Sequence, residues 1–189
     1  MIVIGASRGG LKALQALLGG LPGTFQMPLA VVLHRLGEAD DLLQPALQKH
    51  SSLPVTEVLD KETIQCGHVY IAPADYHLLV EPTYFCLSTD DPVLYARPSI
   101  DVLFESAADV FGKMVIGVIL TGASQDGARG AAEIQRRGGT VIVQDPATAE
   151  SPTMPAAALA ATRTLLVQPL NQIATTLIQA TNSMTVRKP

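Results

Sequence analysis

A serine stands in Gly5-Ala6-Ser7-Arg8-Gly9, directly behind the apolar run Ile2-Val3-Ile4, with the G-x-S-x-G spacing of a nucleophile on a strand-to-helix turn. Small flanking residues let the backbone turn sharply and lift the hydroxyl above the strand's end, where a carbonyl carbon can approach it. A serine is inert near neutral pH, so the chemistry also needs a base to take its proton and an acid to orient that base. His34 ends the run Leu29-Ala30-Val31-Val32-Leu33, and Asp126 closes Thr121-Gly122-Ala123-Ser124-Gln125-Asp126-Gly127 after the run from Val115 to Leu120. If the three runs are strands of one parallel sheet, Ser7, His34 and Asp126 share its carboxyl edge, where open α/β sheets bind their ligands. Hydroxyl, imidazole and carboxylate together are the parts of acyl transfer through a covalent intermediate.

Each residue also has a plainer use. A serine after a first strand often caps a helix or sits in a phosphate-binding turn, and a lone histidine at a strand end is commonly a hydrogen-bonded core residue. Asp126 is placed to cap a helix beginning near Ala128, and Ser124 is a rival serine in a similar turn. His50 suits a helix end, while His68 and His77 fall in a region read as antiparallel. Gly-Ala-Ser-Arg-Gly is also similar to the dinucleotide-binding turn of short-chain dehydrogenases, which need a Tyr-x-x-x-Lys pair. Four residues beyond Tyr70, Tyr76, Tyr84 and Tyr95 stand Ala74, Val80, Ser88 and Ser99, so that pair is missing. No H-E-x-x-H or equivalent spacing calls for a metal, and no cofactor is expected.

The elements that must position these side chains alternate. Strands are predicted at Ile2 to Ile4, Leu29 to Leu33, Val55 to Val58, Val115 to Leu120, Thr140 to Val143 and Leu165 to Val167. Helical periodicity covers Leu11 to Leu18, Asp41 to Lys49, Ile100 to Phe111, Ala128 to Arg137, Ala156 to Ala161 and Leu170 to Thr181, with Ser99 as N-cap of the third. Between Gly67 and Ser88 the runs His68 to Ala72, His77 to Glu81 and Tyr84 to Leu87 have no helix between them and read as an antiparallel insertion. The expected fold is α/β, a doubly wound, mostly parallel sheet with helices on both faces and an antiparallel hairpin insertion. Residues 1–181 are expected to form one domain and 182–189 a disordered tail.

Composition narrows the function classes. With 189 residues, 48% of them hydrophobic, the chain can bury a full core without disulfides or metal. A net charge of -4 lacks the basic face that phosphate binding needs, which argues against a nucleic-acid partner. No run reaches membrane-spanning length and no basic leader precedes the first apolar run, so a cytoplasmic protein without membrane insertion is expected. Cys66 and Cys86 read as reduced, mostly buried thiols.

Several segments taken in order carry a family resemblance. They are Ile4-Gly5-Ala6-Ser7 with Gly9-Gly10, His68-Val69-Tyr70-Ile71-Ala72-Pro73, Arg97-Pro98-Ser99-Ile100-Asp101-Val102-Leu103-Phe104, Ile119-Leu120-Thr121-Gly122, Asp126-Gly127-Ala128 and, more loosely, Gln144-Asp145 through Met154-Pro155. From Ile2 to about Ala180 the chain resembles the catalytic domain of chemotaxis protein-glutamate methylesterases, the CheB family. The resemblance implies a triad at Ser7, His34 and Asp126, a methylated chemoreceptor or other methylated signalling protein as partner, and a glutamine deamidase side activity. It also implies oxyanion or substrate contacts from Arg8, Gly9, Gly122 and Ala123, with Arg97 grouped among the substrate-binding residues. Departures from the family pattern are Arg8 where threonine is common, Arg35-Leu36 after the histidine, and Ala123-Ser124-Gln125 in the Thr-Gly loop. The receiver domain that usually precedes the catalytic domain is not in this sequence, and a stand-alone form is expected. Two other readings stay open: a docking module that kept the fold and lost turnover, and a dinucleotide-binding oxidoreductase.

Overall fold

The computed structural model describes residues 1–34, 42–164 and 166–186. Outside them lie Arg35 and Leu36, the predicted helix start at Asp41, the predicted strand start at Leu165 and positions 187–189 of the predicted tail. In chain order the elements are β1 (Ile2–Ala6), α1 (Gly10–Gly19), β2 (Leu29–Leu33), α2 (Leu43–Gln48), β3 (Val55–Glu57), β4 (Val69–Ile71), β5 (His77–Val80) and β6 (Phe85–Ser88). They continue with α3 (Ile100–Phe111), β7 (Ile116–Ile119), α4 (Ala128–Arg136), β8 (Thr140–Gln144), α5 (Thr153–Ala161), β9 (Val167–Gln168) and α6 (Leu170–Val186).

Among the described residues seven strands form one sheet in the order β3-β4-β2-β1-β7-β8-β9, every pairing parallel, and β5 with β6 makes a separate antiparallel hairpin. Side chains alternate across a strand, so a sheet covered on both faces has apolar residues at every position. In β1, Ile2, Ile4 and Ala6 join the cluster formed by Leu14, Leu17 and Leu18 of α1 and Ile173 and Leu177 of α6. Val3 joins the opposite cluster, with Ile100, Leu103 and Phe104 of α3 and Ala131 and Ile134 of α4. Each such fully buried aliphatic side chain contributes roughly 1.5–3 kcal/mol before conformational entropy is set against it.

The central strand decides where a site can form. β1 pairs with β2 on one side and with β7 on the other, so the chain winds outward in both directions from this point. The loops after β1 and β7 lead to helices on opposite faces, which opens a crevice between them at the carboxyl edge.

Three expectations change. His68 to Ala72 does not belong to the antiparallel insertion: β4 lies within the parallel sheet between β3 and β2, with Val69 and Ile71 on one face and Tyr70 on the other. An apolar run buried on both faces has no alternation to betray its partner, so position along the chain misled the reading. Cys66 is exposed and Cys86 only partly buried; both are free. The helix α6 carries on past Thr181 to Val186, into the segment expected to be a disordered tail.

Gly130 sits where α3 packs directly against the start of α4. A Cβ there would lie 2.5 Å from Phe104 Cβ and 3.1 Å from the Asp101 backbone, which cannot yield as a flexible side-chain end would. An inserted methyl in a packed core costs about 1–3 kcal/mol, more than the up to about 1 kcal/mol by which alanine outranks glycine in a helix. Gly130→Ala is therefore expected to lower the urea denaturation midpoint; an equal or higher midpoint would show that the two helices can separate freely.

Candidate active site

Ala6 and Leu33 are register partners at the ends of β1 and β2, so the next residues along the two strands are Ser7 and His34. Adjacent strands run about 4.8 Å apart, which makes these residues neighbours by construction. The His34 amide donates to the Ala6 carbonyl at 3.0 Å, and the Ser7 amide donates to the Thr121 carbonyl just beyond β7, also at 3.0 Å. The turn after Ser7 closes with the Gly10 amide donating to the Ser7 carbonyl at 2.7 Å. Its left-handed residue is Gly9, with φ of 76°, and not Ser7. The strain of the turn thus falls on a residue without Cβ, and the serine sits in ordinary backbone. Thr121 braces the turn from the far side, its hydroxyl donating to the Arg8 carbonyl and accepting from the Ser151 amide, each at 2.9 Å.

Asp126 does not serve as the cap that was its plainer reading. The helix α4 begins at Ala128 with Gly127 as N-cap and no side-chain capping bond. The Asp126 carboxylate turns instead to the start of α3, where it accepts from the Ile100 amide at 2.7 Å, the Asp101 amide at 3.0 Å and the Ser99 hydroxyl at 2.9 Å. His34 Nε2 supplies the fourth donor, at 2.8 Å. A carboxylate has about four lone-pair sites, so this fully buried group is saturated. Burial pushes its pKa up, but the bonds from His34 and from the Asp101 and Ile100 amides, with the charge on His34, hold it below the usual carboxylate range.

Asp101 returns the favour from inside α3. Its Oδ1 accepts from the Gly127 amide at 2.9 Å and the Gly130 amide at 2.7 Å, the open donors at the start of α4. Burial raises this carboxyl above its ordinary value; the Gly130 amide lowers it and the nearby Asp126 charge raises it further, leaving the net shift upward. Sequence reasoning missed Asp101, and it also missed His77. That buried ring accepts from the Ser99 amide at Nδ1 (3.1 Å) and donates from Nε2 to the Asp91 carbonyl (3.1 Å). The Arg-Pro-Ser-Ile-Asp segment was a signal for Asp101 through the family resemblance, whereas His77 had no signal beyond an apolar strand around it.

The structure therefore brings His34 and Asp126 into contact and sets Ser7 beside them, and Ser7 and His34 border both of two clefts that meet at this edge. One, of about 660 Å³, is completed by Arg8, Arg97 and the 92–96 segment; the other, of about 460 Å³, is more apolar, with Leu11, Leu33 and Leu43. Among the described residues the Ser7 hydroxyl makes no hydrogen bond, to His34 or to any other group. Ser124 does not replace it, since its oxygen accepts from the Asp126 amide at 3.1 Å. Of the expected oxyanion donors, the Gly122 amide is engaged with the Ser151 carbonyl at 3.0 Å, so Gly122 contributes shape: a Cβ there would come within 2.9 Å of Ser7 Cβ. The amides of Arg8, Gly9 and Ala123 donate to no backbone carbonyl among the described residues. Arg97 is tied to the Thr89 and Asp90 carbonyls at 2.9 and 3.2 Å, and its buried Nε has no partner among the described residues. No cluster of three or more His, Cys, Asp or Glu side chains among the described residues could hold a metal ion.

A doubly wound α/β protein with serine, histidine and carboxylate gathered at its switch point is the class that fold and site define. The sequence model of the CheB methylesterase family matches residues 2–177, and the chain belongs to that family. A Leptospira interrogans relative is 44% identical over 174 residues, which span 92% of this chain and 90% of that protein. A Rhodospirillum rubrum protein named protein-glutamate methylesterase/protein-glutamine glutaminase 1 is 35% identical over 96% of this chain, which spans about half (49%) of that longer protein. The crystal structure of the Thermotoga maritima CheB methylesterase catalytic domain superposes with a TM-score of 0.92 at 34% identity, covering 95% of this chain and 97% of that one. No helix among the described residues is long and apolar enough to cross a membrane.

The two buried carboxylates respond to pH in opposite senses. Asp126, depressed in the folded state, contributes stability that is complete above the ordinary carboxylate pKa and is lost as pH falls through its folded value. Asp101, raised in the folded state, favours folding most at low pH and less as pH rises through its folded value. Asp101→Asn keeps an oxygen for the Gly127 and Gly130 amides and removes the buried charge. Its stability relative to the parent, measured by urea denaturation from pH 3 to 7, should therefore improve as pH rises. Asp101→Ala orphans both amides and should cost about 1–3 kcal/mol at pH 7; equal losses for both variants would refute the hydrogen-bonding role.

Proposed function

We propose that the chain is a serine hydrolase that removes methyl esters from glutamate side chains of methylated chemoreceptors or related signalling proteins. The reading is carried by one observation: the 2.8 Å bond from His34 Nε2 to the buried, saturated Asp126 carboxylate, next to Ser7 at the carboxyl edge. With Nε2 committed to the carboxylate, Nδ1 is the nitrogen that takes the Ser7 proton. This reverses the ring usage of the serine-protease template, in which Nδ1 faces the aspartate. The serine oxygen attacks the γ-carbonyl, forming the Ser7–acyl bond. The proton on His34 passes to the departing methoxide, and methanol leaves. Water then enters, gives a proton to His34 and attacks the acyl carbon; the proton returns to Ser7 as the Ser7–acyl bond breaks and the unesterified glutamate side chain of the protein is released. Asp126 remains ionised throughout and stabilises the imidazolium.

The amides of Arg8, Gly9 and Ala123, which donate to no backbone carbonyl among the described residues, are the oxyanion donors in this scheme; one such donor is typically worth about 10²- to 10³-fold in rate. The hydrogen bond between Ser7 and His34 forms on substrate binding, since catalytic bonds commonly tighten only in the loaded complex. A glutamine side chain reaches the same acyl-enzyme with ammonia as leaving group. The proposal therefore includes deamidation, in keeping with the glutaminase half of the relatives' names.

Ser7→Ala is expected to abolish methanol release from a methylated chemoreceptor fragment, and a fluorophosphonate should label the parent protein at Ser7. Asp126→Asn presents the wrong partner to His34 and should lower kcat by roughly 10⁴. Undiminished turnover by the Ser7 variant would overturn the assignment. A docking module would bind the fragment and release no methanol.

A further inference from the structure

The loop from Thr89 to Arg97 walls one side of the larger cleft, and its tip runs against the preferences of its own residues. Val93 and Ala96 exchange two backbone hydrogen bonds, at 3.1 and 2.9 Å, as an antiparallel bridge. Between them Leu94 and Tyr95 have φ of 49° and 63°. A two-residue hairpin with both central residues left-handed has the pattern of a type I′ turn, for which Asn-Gly is the favoured pair. Leucine and tyrosine are poor choices there, because a Cβ crowds the left-handed backbone. Nor does packing compensate: Leu94 is 54% exposed and Tyr95 wholly exposed. Of the four non-glycine residues with positive φ among the described residues, Asp75, Leu94 and Tyr95 border the cleft shared with Ser7 and His34, and only Lys61 lies elsewhere. Such concentration of backbone strain at one cleft marks a functional surface.

The stem beneath the tip is fixed. Arg97 donates to the Thr89 and Asp90 carbonyls, and His77 donates to the Asp91 carbonyl. The same His77 ring accepts from the Ser99 amide, beside the donors that hold Asp126. Tip and catalytic carboxylate are thus built on one rigid frame.

We propose that Leu94 and Tyr95 form a specificity surface that grips the polypeptide flanking the esterified glutamate, against an apolar side chain of the methylated protein. The inference rests on the ester-hydrolase reading of this cleft and extends it from the reacting group to the partner's flanking chain. A methylated glutamate side chain is far too small to fill about 660 Å³, so the cleft has room for neighbouring residues. Next to the tip the lining includes Pro92, Ala96 and Pro98 beside the tethered Arg97, and the first three offer apolar contact to them. Tyrosine brings a large, stiff contact area with little rotamer entropy to lose. Residues unfavourable in the free chain are then completed by burial in the complex.

The double variant L94N/Y95G keeps the turn type, removes the strain and deletes the contact surface. Its melting temperature is expected to rise by about 2–4 °C, while KM for a methylated chemoreceptor fragment rises about tenfold or more. Labelling of Ser7 by a small fluorophosphonate, which has no flanking residues to grip, should fall far less than methanol release at low substrate concentration. Tyr95→Ser, which leaves the backbone as it is, should raise KM in the same direction. An unchanged KM in an active protein, or a melting temperature that does not rise for L94N/Y95G, overturns this inference alone. A parent protein that releases no methanol overturns it together with the ester-hydrolase reading.

Discussion

Two buried carboxylates exchanged between neighbouring helices hold the site together. Asp126, at the threshold of α4, satisfies the open amides of α3, and Asp101, inside α3, satisfies those of α4. Each helix start is a cluster of unpaired N–H groups with partial positive charge, so each stabilises the other's anion while having its own donors satisfied. Neither charge reaches solvent, and a buried carboxylate without such donors would be strongly destabilising. The start of α3 can therefore move relative to α4 only by breaking several charge-assisted bonds at once. The glycine at position 130 lets the helices come near enough for the exchange to occur.

The geometry of the candidate site follows from this clamp. Asp126 must accept from α3 and from His34 with the same pair of oxygens, so the position of α3 sets the position of the imidazole. Ser7 is placed independently, by the register of β1 with β2 and by its amide bond to the carbonyl of Thr121. The result is a rigid His34–Asp126 pair beside a serine hydroxyl that has no competing partner among the described residues. The Leu94–Tyr95 tip lies on the rim of the cleft that this arrangement borders.

Much of this was legible beforehand where a local pattern is tied to one physical cause. α3 begins at Ile100 behind Ser99, as a Ser N-cap before a helix-periodic stretch requires, and β2 matches its apolar run from Leu29 to Leu33. Ser7, His34 and Asp126 were singled out because polar residues ending buried parallel strands must gather at one edge, and His34 and Asp126 do meet there. What escaped was non-local. β4 looked like part of a hairpin because a strand buried on both faces has no period to mark its partner. The donors that hold Asp126 lie at the start of α3, and the sequence showed only the nearer helix start of α4 as a plainer use for it. His77 and the left-handed pair Leu94–Tyr95 gave no warning, as neither residue type advertises a buried hydrogen-bonded ring or a type I′ turn.

By itself the amino-acid order determined the alternation of strands and helices, the burial of both sheet faces and the chemical types at the carboxyl edge. These depend on periodicity and on side-chain chemistry, which are properties of short stretches of chain. Only the folded molecule decided which helix start receives Asp126, which ring nitrogen of His34 is engaged and which amides near Ser7 donate to no backbone carbonyl among the described residues. Those outcomes depend on the distances and directions of donors from segments far apart along the chain, and such quantities exist only once packing has brought the segments together.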